Sequence, residues 1–195
     1  TFDFWKKVVF TDESKFNIVK SHGKVTVWRQ KNCELDKKNL TATVKHGGGG
    51  VMVWGCMSAS GVGELCFIEG IMDHCSYINI LKGHLAKSVE DMGLTGHTQD
   101  NDLKHTAHNT RLWLLYNTPK YMQTPPQSPD INPIENLWDV LDQKIRQRSI
   151  SNKNDLKTAL LEEWANISRT VTENLVKKPR KIEEVIKRKG GPMKY

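Results

Sequence analysis

The chain has 195 residues, of which 26% are charged and 37% hydrophobic; this is enough to bury one sizeable core and requires no second domain. No run of about 18 apolar residues is present, so the sequence excludes a transmembrane helix and predicts a soluble intracellular protein. The four cysteines, Cys33, Cys56, Cys66 and Cys75, include no CxxC pair, which favours reduced structural thiols over a zinc knuckle or a disulfide framework.

Positive charge is concentrated at the carboxyl end of the chain. The net charge is +7, yet residues 1–140 hold 15 Lys or Arg and 15 Asp or Glu, whereas residues 141–195 hold 14 and 7. A basic segment after a neutral domain indicates a polyanionic partner such as nucleic acid, because each neutralised phosphate releases counterions. A solvated helical surface has the same composition, so charge alone leaves both interpretations open.

The first part of the chain is rich in predicted strands. Val8 to Phe10 is apolar on both faces, which predicts a buried central strand, and it leads directly into "TDES", so we expect Asp12 at or near the carboxyl end of that strand. The segments "KVTVWRQ" (24–30), "GVMVWGC" (50–56) and "ELCFIE" (64–69) predict further strands. A polar stretch that ends in four glycines, residues 47–50, lies between the predicted strands "KVTVWRQ" and "GVMVWGC".

The second part of the chain shows helical periodicity. One helix is predicted from about Ser76 to near Gly93 and another over residues 106–116, followed by a proline-rich connector over residues 119–133. Residues 152–167 predict an amphipathic helix, and Pro179 divides the remaining basic segment into two short helical pieces. Strands followed by helices predict a mixed α/β domain with a basic helical tail.

A further helix is predicted to begin at "NPIE", with Asn132 as its N-cap and Pro133 at its first position. An apolar stripe faces the core, and Glu135 lies about 100° round from it, at the margin of the buried face. The stripe consists of Ile134, Leu137, Trp138, Leu141 and Ile145. Most tryptophans, Trp138 and Trp164 among them, lie in apolar periodic segments and are predicted to be core residues.

Three acidic residues are candidates for a shared site. Each has a plain structural interpretation: Asp12 as a strand-end turn residue, Asp100 as part of a solvated turn, and Glu135 as the capping partner of Asn132. Together, two aspartates at strand ends and a glutamate on a first helical turn match the needs of two-metal phosphoryl chemistry. Hard divalent cations prefer oxygen ligands, and rigid elements keep the two ions about 3.5 to 4 Å apart.

Four blocks of the sequence resemble the mariner superfamily of cut-and-paste DNA transposases, on the branch that includes Sleeping Beauty. They are "VVFTDESKF" (8–16), "VKHGGGGVMVWGCMSASGVGEL" (44–65), "QDNDLKHTAH" (99–108) and "QSPDINPIENLWDVL" (127–141). The blocks follow the family's order, and the 34 residues between Asp100 and Glu135 equal the interval of that branch. The resemblance covers nearly the whole chain, and four blocks in register are far more specific than one short motif.

The resemblance implies an RNase H-like fold in which Asp12, Asp100 and Glu135 bind two Mg²⁺ or Mn²⁺ ions. The implied reaction is nicking at the ends of a transposable element, followed by attack of the freed 3′ hydroxyl on target DNA. The implied partners are double-stranded DNA and a second copy of the chain, in a homodimer or higher assembly. The implied location is the nucleus.

The same resemblance implies a domain plan. We expect an RNase H-like DDE core over residues 1–148, in which about 19–50 form the clamp loop and glycine-rich strip, and a basic helical segment over residues 149–195. The family's amino-terminal helix-turn-helix domain is expected to be absent, so this chain alone would lack sequence-specific binding. The candidate DNA-binding side chains are basic: Lys104, His105, Lys144, Arg146, Arg148, Lys177, Lys178 and Arg180.

Two features depart from the family pattern and keep a second interpretation open. Leu103 stands where members normally have Pro, and the lead-in to Asp100, "GLTGHTQ" (93–99), is polar and contains glycine, which is a poor composition for a central strand. Because a loosened metal site loses much of its rate, the alternative is a catalytically inactive, decayed or domesticated transposase that retains DNA or partner binding.

Overall fold

The structure, a computed structural model, describes residues 2–18, 49–94, 98–99, 108–118, 120–121 and 132–177. Among these residues, no helix is both long and apolar enough to cross a membrane. The elements in chain order are α1 (Phe2–Trp5), β1 (Val8–Asn17), β2 (Gly50–Ser58), β3 (Gly61–Ile68), α2 (His74–Ile80), a π-turn (Leu81–Leu85), α3 (Ala86–Asp91), β4 (Thr98–Gln99), α4 (His108–Asn117), β5 (Lys120–Tyr121), α5 (Pro133–Ile145), α6 (Lys153–Ala165) and α7 (Arg169–Val176).

The described strands form one mixed sheet in the order β3-β2-β1-β4-β5. Strands β1, β2 and β3 are antiparallel neighbours, whereas β4 runs parallel to β1 and β5 runs parallel to β4. In the register of β1 and β2, Asp12 lies opposite Gly55. On its other edge, β1 pairs through Val8 and Val9 with the two residues of β4.

Helices cover both faces of the sheet, because alternate residues of β1 and β2 are apolar toward each side. Val8, Phe10 and Phe16 face a core shared with α5, α6 and α7. Val9 and Trp54 face a second core that is closed by α2, the π-turn and α4. The mixed α/β class predicted from the sequence is therefore confirmed, and the sheet is buried between two helical layers.

The apolar stripe predicted for α5 is confirmed, since all five of its residues are buried. The helix begins as expected: Asn132 is the N-cap, and its side-chain oxygen accepts a hydrogen bond from the backbone N–H of Ile134. Pro133 occupies the first turn, where a missing N–H costs no hydrogen bond. Glu135 is partly buried at the edge of this face, as the periodicity indicated.

The prediction that Asp12 ends its strand is wrong, because β1 continues to Asn17 and Asp12 lies in its middle. The polar run after Phe10 is typical of a strand end, but its backbone pairs with β2 throughout. The helix expected from about Ser76 is present over residues 74–91, with an unexpected π-turn in its centre. The strand predicted over residues 24–30, the clamp loop and the helical pieces around Pro179 lie outside the described residues.

Helices α6 and α7 are packed into the same core as β1 and α5. Leu156, Leu160 and Trp164 of α6 and Val176 of α7 are buried in the cluster that contains Val8 and the apolar stripe of α5. The described part of the basic segment thus contributes apolar side chains to the first core. The proposed division of the chain between residues 148 and 149 stays a prediction.

Candidate active site

Asp12 is a buried carboxylate in the middle of the sheet. Its side chain is on the same side of β1 as Phe10 and Phe16, so it faces α5. The residue is only 4% exposed, although a charged residue is rarely buried unless it has specific partners. The position is therefore a site where the fold holds a carboxylate against an otherwise apolar layer.

Trp138 supplies one of those partners. Its indole Nε1 donates a hydrogen bond to Oδ2 of Asp12 at 3.1 Å, across 126 positions of sequence. The ring belongs to the apolar stripe of α5 and is itself 4% exposed. A hydrogen bond to a charged acceptor in a buried setting is stronger than a neutral one, because water does not compete for either group. The contact fixes α5 to β1 at the carboxylate.

Asn132 makes a second tie between the same two elements. Its Nδ2 donates to the backbone oxygen of Thr11 at 3.2 Å, while its Oδ1 accepts from the N–H of Ile134 at 3.3 Å. The residue that caps α5 therefore also positions the helix on β1. Glu135 lies in the chain between Asn132 and Trp138, which contact residues 11 and 12 of β1 respectively. The structure thus brings the first turn of α5, with Glu135, beside Asp12.

Gly55 makes room for this arrangement on the neighbouring strand. A Cβ atom at Gly55 would lie 2.7 Å from Cη2 of Trp138 and 3.1 Å from Cη2 of Trp164, both well inside van der Waals contact. The two indoles are stacked at 5.2 Å between ring centroids, and Trp164 Nε1 donates to the backbone oxygen of Gly63 at 2.7 Å. The indole of Trp138, which contacts Asp12, is therefore held between Gly55 and the ring of Trp164.

Asp100, the third predicted ligand, lies outside the described residues. The residue before it, Gln99, is the second residue of β4 and pairs with Val9 of β1. The polar lead-in that looked like a poor central strand does form one, since β4 lies between β1 and β5, although it is only two residues long. The predicted site consequently has two of its three members, Asp12 and Glu135, in the described structure.

The donor set suits a hard divalent cation. Asp12 and Glu135 both offer carboxylate oxygens, which Mg²⁺ and Mn²⁺ prefer over nitrogen and sulfur ligands. Both are carried by regular elements that are hydrogen-bonded to each other, so their separation is set by the fold. Within the described ranges, no group of three or more His, Cys, Asp or Glu side chains is close enough to hold a metal ion. Asp100, the third ligand predicted from the sequence, is not among the described residues.

Four of the candidate DNA-binding side chains are described, and each forms an ion pair within the chain. Lys144 and Arg148 contact Glu163, at 3.4 Å in both cases. Arg146 makes a two-pronged contact with Asp142, at 2.5 and 2.8 Å, and Lys177 contacts Glu173 at 2.6 Å. These ion pairs neutralise part of the positive field of the four side chains locally. Lys104, His105, Lys178 and Arg180 lie outside the described residues, and the role of all eight stays a prediction.

A separate charged cluster occupies the other end of the sheet, on β3. The carboxylate of Glu64 contacts the ammonium of Lys87, and it contacts Nδ1 of His84 at 2.5 Å. The hydrogen bond from Lys87, followed by that from His84, holds the pKa of Glu64 below its ordinary value of 4.5. The same contact raises the pKa of Lys87. The cluster joins β3 to the helical layer opposite α5 and has no contact with Asp12 in the described structure.

Sequence reasoning missed the polar contacts of Trp138 and Asn132 and the spacing role of Gly55. One signal was available: a buried Trp needs an acceptor for its single N–H, and Trp138 lies three positions after Glu135, on the same side of the helix. The other contacts join residues far apart in the chain, and no local pattern reports them.

Comparisons with known proteins agree with this geometry. A family model described as DDE superfamily endonuclease matches residues 7–157. The Tcb2 transposase of Caenorhabditis briggsae and the Tc1 transposase of Caenorhabditis elegans are each 37% identical to this chain over 195 residues, which is 98% of the chain and 71% of each relative.

Solved structures of Mos1 transposase share the fold. A Mos1 paired-end complex with the left transposon end superposes with a TM-score of 0.80 at 18% identity, covering 98% of this chain and 57% of that one. A Mos1 catalytic domain solved with Raltegravir and Mg gives a TM-score of 0.72 at 16% identity and covers 98% of this chain and 88% of that domain. The RNase H-like fold implied by the resemblance is thereby confirmed. The chain spans little more than half of the longer Mos1 protein and most of its catalytic domain.

Proposed function

We propose that this chain is the catalytic domain of a cut-and-paste DNA transposase. The premise is that the chain belongs to the DDE superfamily of endonucleases and, within it, to the Tc1 and mariner transposases. One observation carries the proposal beyond family membership: the buried carboxylate of Asp12 is hydrogen-bonded to the helix whose first turn presents Glu135. This bond, together with that from Asn132 to Thr11, supports the assignment of both carboxylates to one site.

The proposed metal ligands are Asp12, Asp100 and Glu135, holding two Mg²⁺ or Mn²⁺ ions. Asp100 follows Gln99 directly in the chain, and Gln99 pairs with Val9, three positions before Asp12 on β1. That spacing supports a third carboxylate near the other two. Mos1 structures solved with Mg and with Mn are consistent with this choice of ion.

In this mechanism, the bound ions would activate the attacking oxygen and stabilise the leaving one. The chain's own residues fix where that happens. Asp12, held by β1 and Trp138, and Glu135, held by the capped start of α5, present oxygen ligands from two elements that cannot move independently. Asp12 is buried against apolar side chains, which limits the access of bulk water to that carboxylate and strengthens electrostatic interactions there.

The proposed reaction has two steps. Water attacks a phosphodiester at an end of the element, which breaks the P–O3′ bond and releases a 3′ hydroxyl. That hydroxyl then attacks a phosphodiester of target DNA, forming a new P–O3′ bond and releasing the target's own 3′ hydroxyl. Each step exchanges one P–O bond for another, so neither needs an external energy source.

The proposed partners are transposon-end and target DNA and a second copy of the chain, in the nucleus. Mos1 complexes with paired transposon ends and the Mos1 strand transfer complex support the DNA partners. The described basic residues are largely ion-paired, whereas residues 178–195 hold seven Lys or Arg against two Asp or Glu. We therefore assign most of the non-specific DNA affinity to residues 178–195.

The test is a nicking and strand-transfer assay on the chain fused to a family DNA-binding module, with pre-cleaved element ends and Mn²⁺. Glu135→Gln is the comparison, because it keeps the size of the side chain and removes its charge. Product from the parent and none from Glu135→Gln would support a working catalytic domain. Folded, DNA-binding protein without product from either would favour the alternative of a decayed or domesticated transposase.

A further inference from the structure

We propose that Trp138 is a positioning residue of the metal site: its indole N–H fixes the orientation of the Asp12 carboxylate, and so determines which oxygen lone pairs face the metal ions. The inference rests on the proposed function, since it assigns Asp12 as a ligand. It adds a residue that touches neither metal nor DNA in the proposed mechanism and acts only through Asp12.

The first step is the freedom that the hydrogen bond removes. The terminal torsion of an aspartate is broad and roughly two-fold, so the carboxylate plane can rotate unless something holds it. Trp138 Nε1 holds Oδ2 at 3.1 Å, and both residues are 4% exposed. An ionised carboxylate has about four lone-pair sites, and the hydrogen bond from the indole uses one of those on Oδ2.

The second step is that the donor itself cannot move freely. The Trp138 ring stacks on Trp164 at 5.2 Å and 24°, and it meets Phe16 edge-on at 6.0 Å and 74°. Gly55 lies beneath it with no room for a Cβ atom. Trp164 is anchored in turn by its bond to the carbonyl of Gly63. Two aromatic contacts and the backbone of Gly55 therefore restrict the ring, and its N–H is directed toward Asp12.

The third step is the coupling of two ligands through one helix. Residues three apart on a helix are neighbours on its surface, so the turn that presents Glu135 also carries the donor to Asp12. On the other side of Glu135, Asn132 bonds to the carbonyl of Thr11. A shift of α5 along β1 would break both bonds, and the arrangement therefore fixes the distance between the two carboxylates as well as the orientation of one. In metal sites, partners of this kind typically contribute 10- to 100-fold to affinity.

The rival explanation is that Trp138 is a core ring whose N–H takes the nearest acceptor. Trp164 makes the distinction possible, because it is equally buried, stacks on the same ring and also donates one hydrogen bond, but to the backbone oxygen of Gly63. Removing the N–H of either tryptophan deletes one buried hydrogen bond. Only the bond of Trp138 ends on a proposed ligand.

The experiment replaces each tryptophan in the full chain by benzothienylalanine, which keeps the bicyclic ring and exchanges the N–H for sulfur. Mn²⁺ affinity is measured by electron paramagnetic resonance of free Mn²⁺, well below the unfolding temperature of every variant. We expect the substitution at Trp138 to weaken Mn²⁺ binding about tenfold or more. The same substitution at Trp164 should change it by less than about twofold, because the Asp12 bond remains. Trp138→Phe provides a second variant without the donor.

Three outcomes would overturn the proposal, and Glu135→Gln separates a failure of the positioning role from a failure of the proposed metal site. If Glu135→Gln weakens Mn²⁺ binding while the Trp138 variants bind it like the parent, the positioning role is wrong and the metal site stands. If the Trp164 variant loses as much affinity as the Trp138 variant, the effect comes from packing and the positioning role is again wrong. If Glu135→Gln binds Mn²⁺ as tightly as the parent, the proposed site itself is wrong and the inference fails with it.

Discussion

Replacing Gly55 by Ala tests the packing beneath the active site with the smallest possible change. The new Cβ would lie 2.7 Å from Cη2 of Trp138, whereas carbon atoms ordinarily pack at about 3.5 to 4.0 Å. The ring or the strand must therefore move by roughly 0.8 Å. The obstacle is the rigid edge of an indole clamped between Trp164 and Phe16, and not the end of a flexible side chain.

The expected loss of stability follows from two opposing effects. Overpacking of this kind costs about 1 to 3 kcal/mol, and the smaller entropy of the unfolded chain with Ala in place of Gly returns about 0.4 to 1 kcal/mol. Gly55 has an ordinary strand backbone, so no strain from a positive φ is added. We expect the free energy of unfolding to fall by about 1 to 2 kcal/mol, which in a domain of this size lowers Tm by roughly 2 to 8 °C.

Gly55→Ala should also weaken metal binding at the proposed site. The bond from Trp138 to Asp12 is 3.1 Å long, close to the upper end of the ordinary range of about 2.7 to 3.2 Å, so a ring displaced away from Gly55 cannot keep it. Mn²⁺ affinity should therefore fall about tenfold although Gly55 bears no ligand atom. Urea unfolding and Mn²⁺-dependent thermal shifts measure the two effects separately.

The matched control is Gly83→Ala in the π-turn, where a Cβ would meet nothing within 4 Å. This change should leave Mn²⁺ affinity unaltered and stabilise the helix by up to about 1 kcal/mol, because Ala is the better helix former. A Gly55→Ala protein as stable as the parent, with parental Mn²⁺ affinity, would refute the reasoning. It would mean that the indole pair yields at no cost and that its position does not control Asp12.

Three other expectations concern the site, the β3 cluster and the basic segment. Asp12→Asn should leave the fold intact but weaken Mn²⁺ binding by on the order of 100-fold, because a metal ligand is lost. Calorimetric titration measures this affinity, and an unchanged affinity would show that Asp12 is not a ligand. Because the folded-state pKa of Glu64 is depressed, its contacts with Lys87 and His84 stabilise the fold above the unfolded value of 4.5, and this contribution disappears as the pH falls through the lower folded value. Glu64→Gln should thus be destabilising at neutral pH and lose this cost as the pH falls below the folded-state pKa of Glu64, and a cost that does not change with pH would contradict the ion-pair account. Deleting residues 178–195 should weaken DNA binding and flatten its dependence on salt, which filter binding at several salt concentrations would detect; an unchanged slope would place the phosphate contacts elsewhere.

Hydrophobic periodicity predicted α5 well because it reports burial, and burial on a helix follows a local rule. The five stripe residues, Ile134 to Ile145, are all buried, and the N-cap falls on Asn132 as the sequence indicated. The extent of β1 was not predictable in the same way. Thr11, Asp12 and Glu13 are polar yet buried, and the donor that binds Asp12, Trp138, is 126 positions away in the sequence. The local sequence pattern therefore predicts the strand and the helix that carry Asp12 and Glu135, whereas contacts between distant residues determine how the Asp12 carboxylate is held.

The start of α5 shows that the two interpretations of Glu135, helix cap and metal ligand, do not compete. Asn132 caps the helix through its own Oδ1, which bonds to the N–H of Ile134, so the first turn has a cap that does not depend on the Glu135 carboxylate. The same Asn132 binds the carbonyl of Thr11, so the residue that begins the helix also sets where the helix meets Asp12. The amino-terminal end of a helix favours a negative charge, so an acidic residue suits position 135 on helix geometry as well. A strong helix start beside β1 is thus what a metal-binding glutamate needs, and the "NPIE" sequence satisfies both requirements with one set of residues.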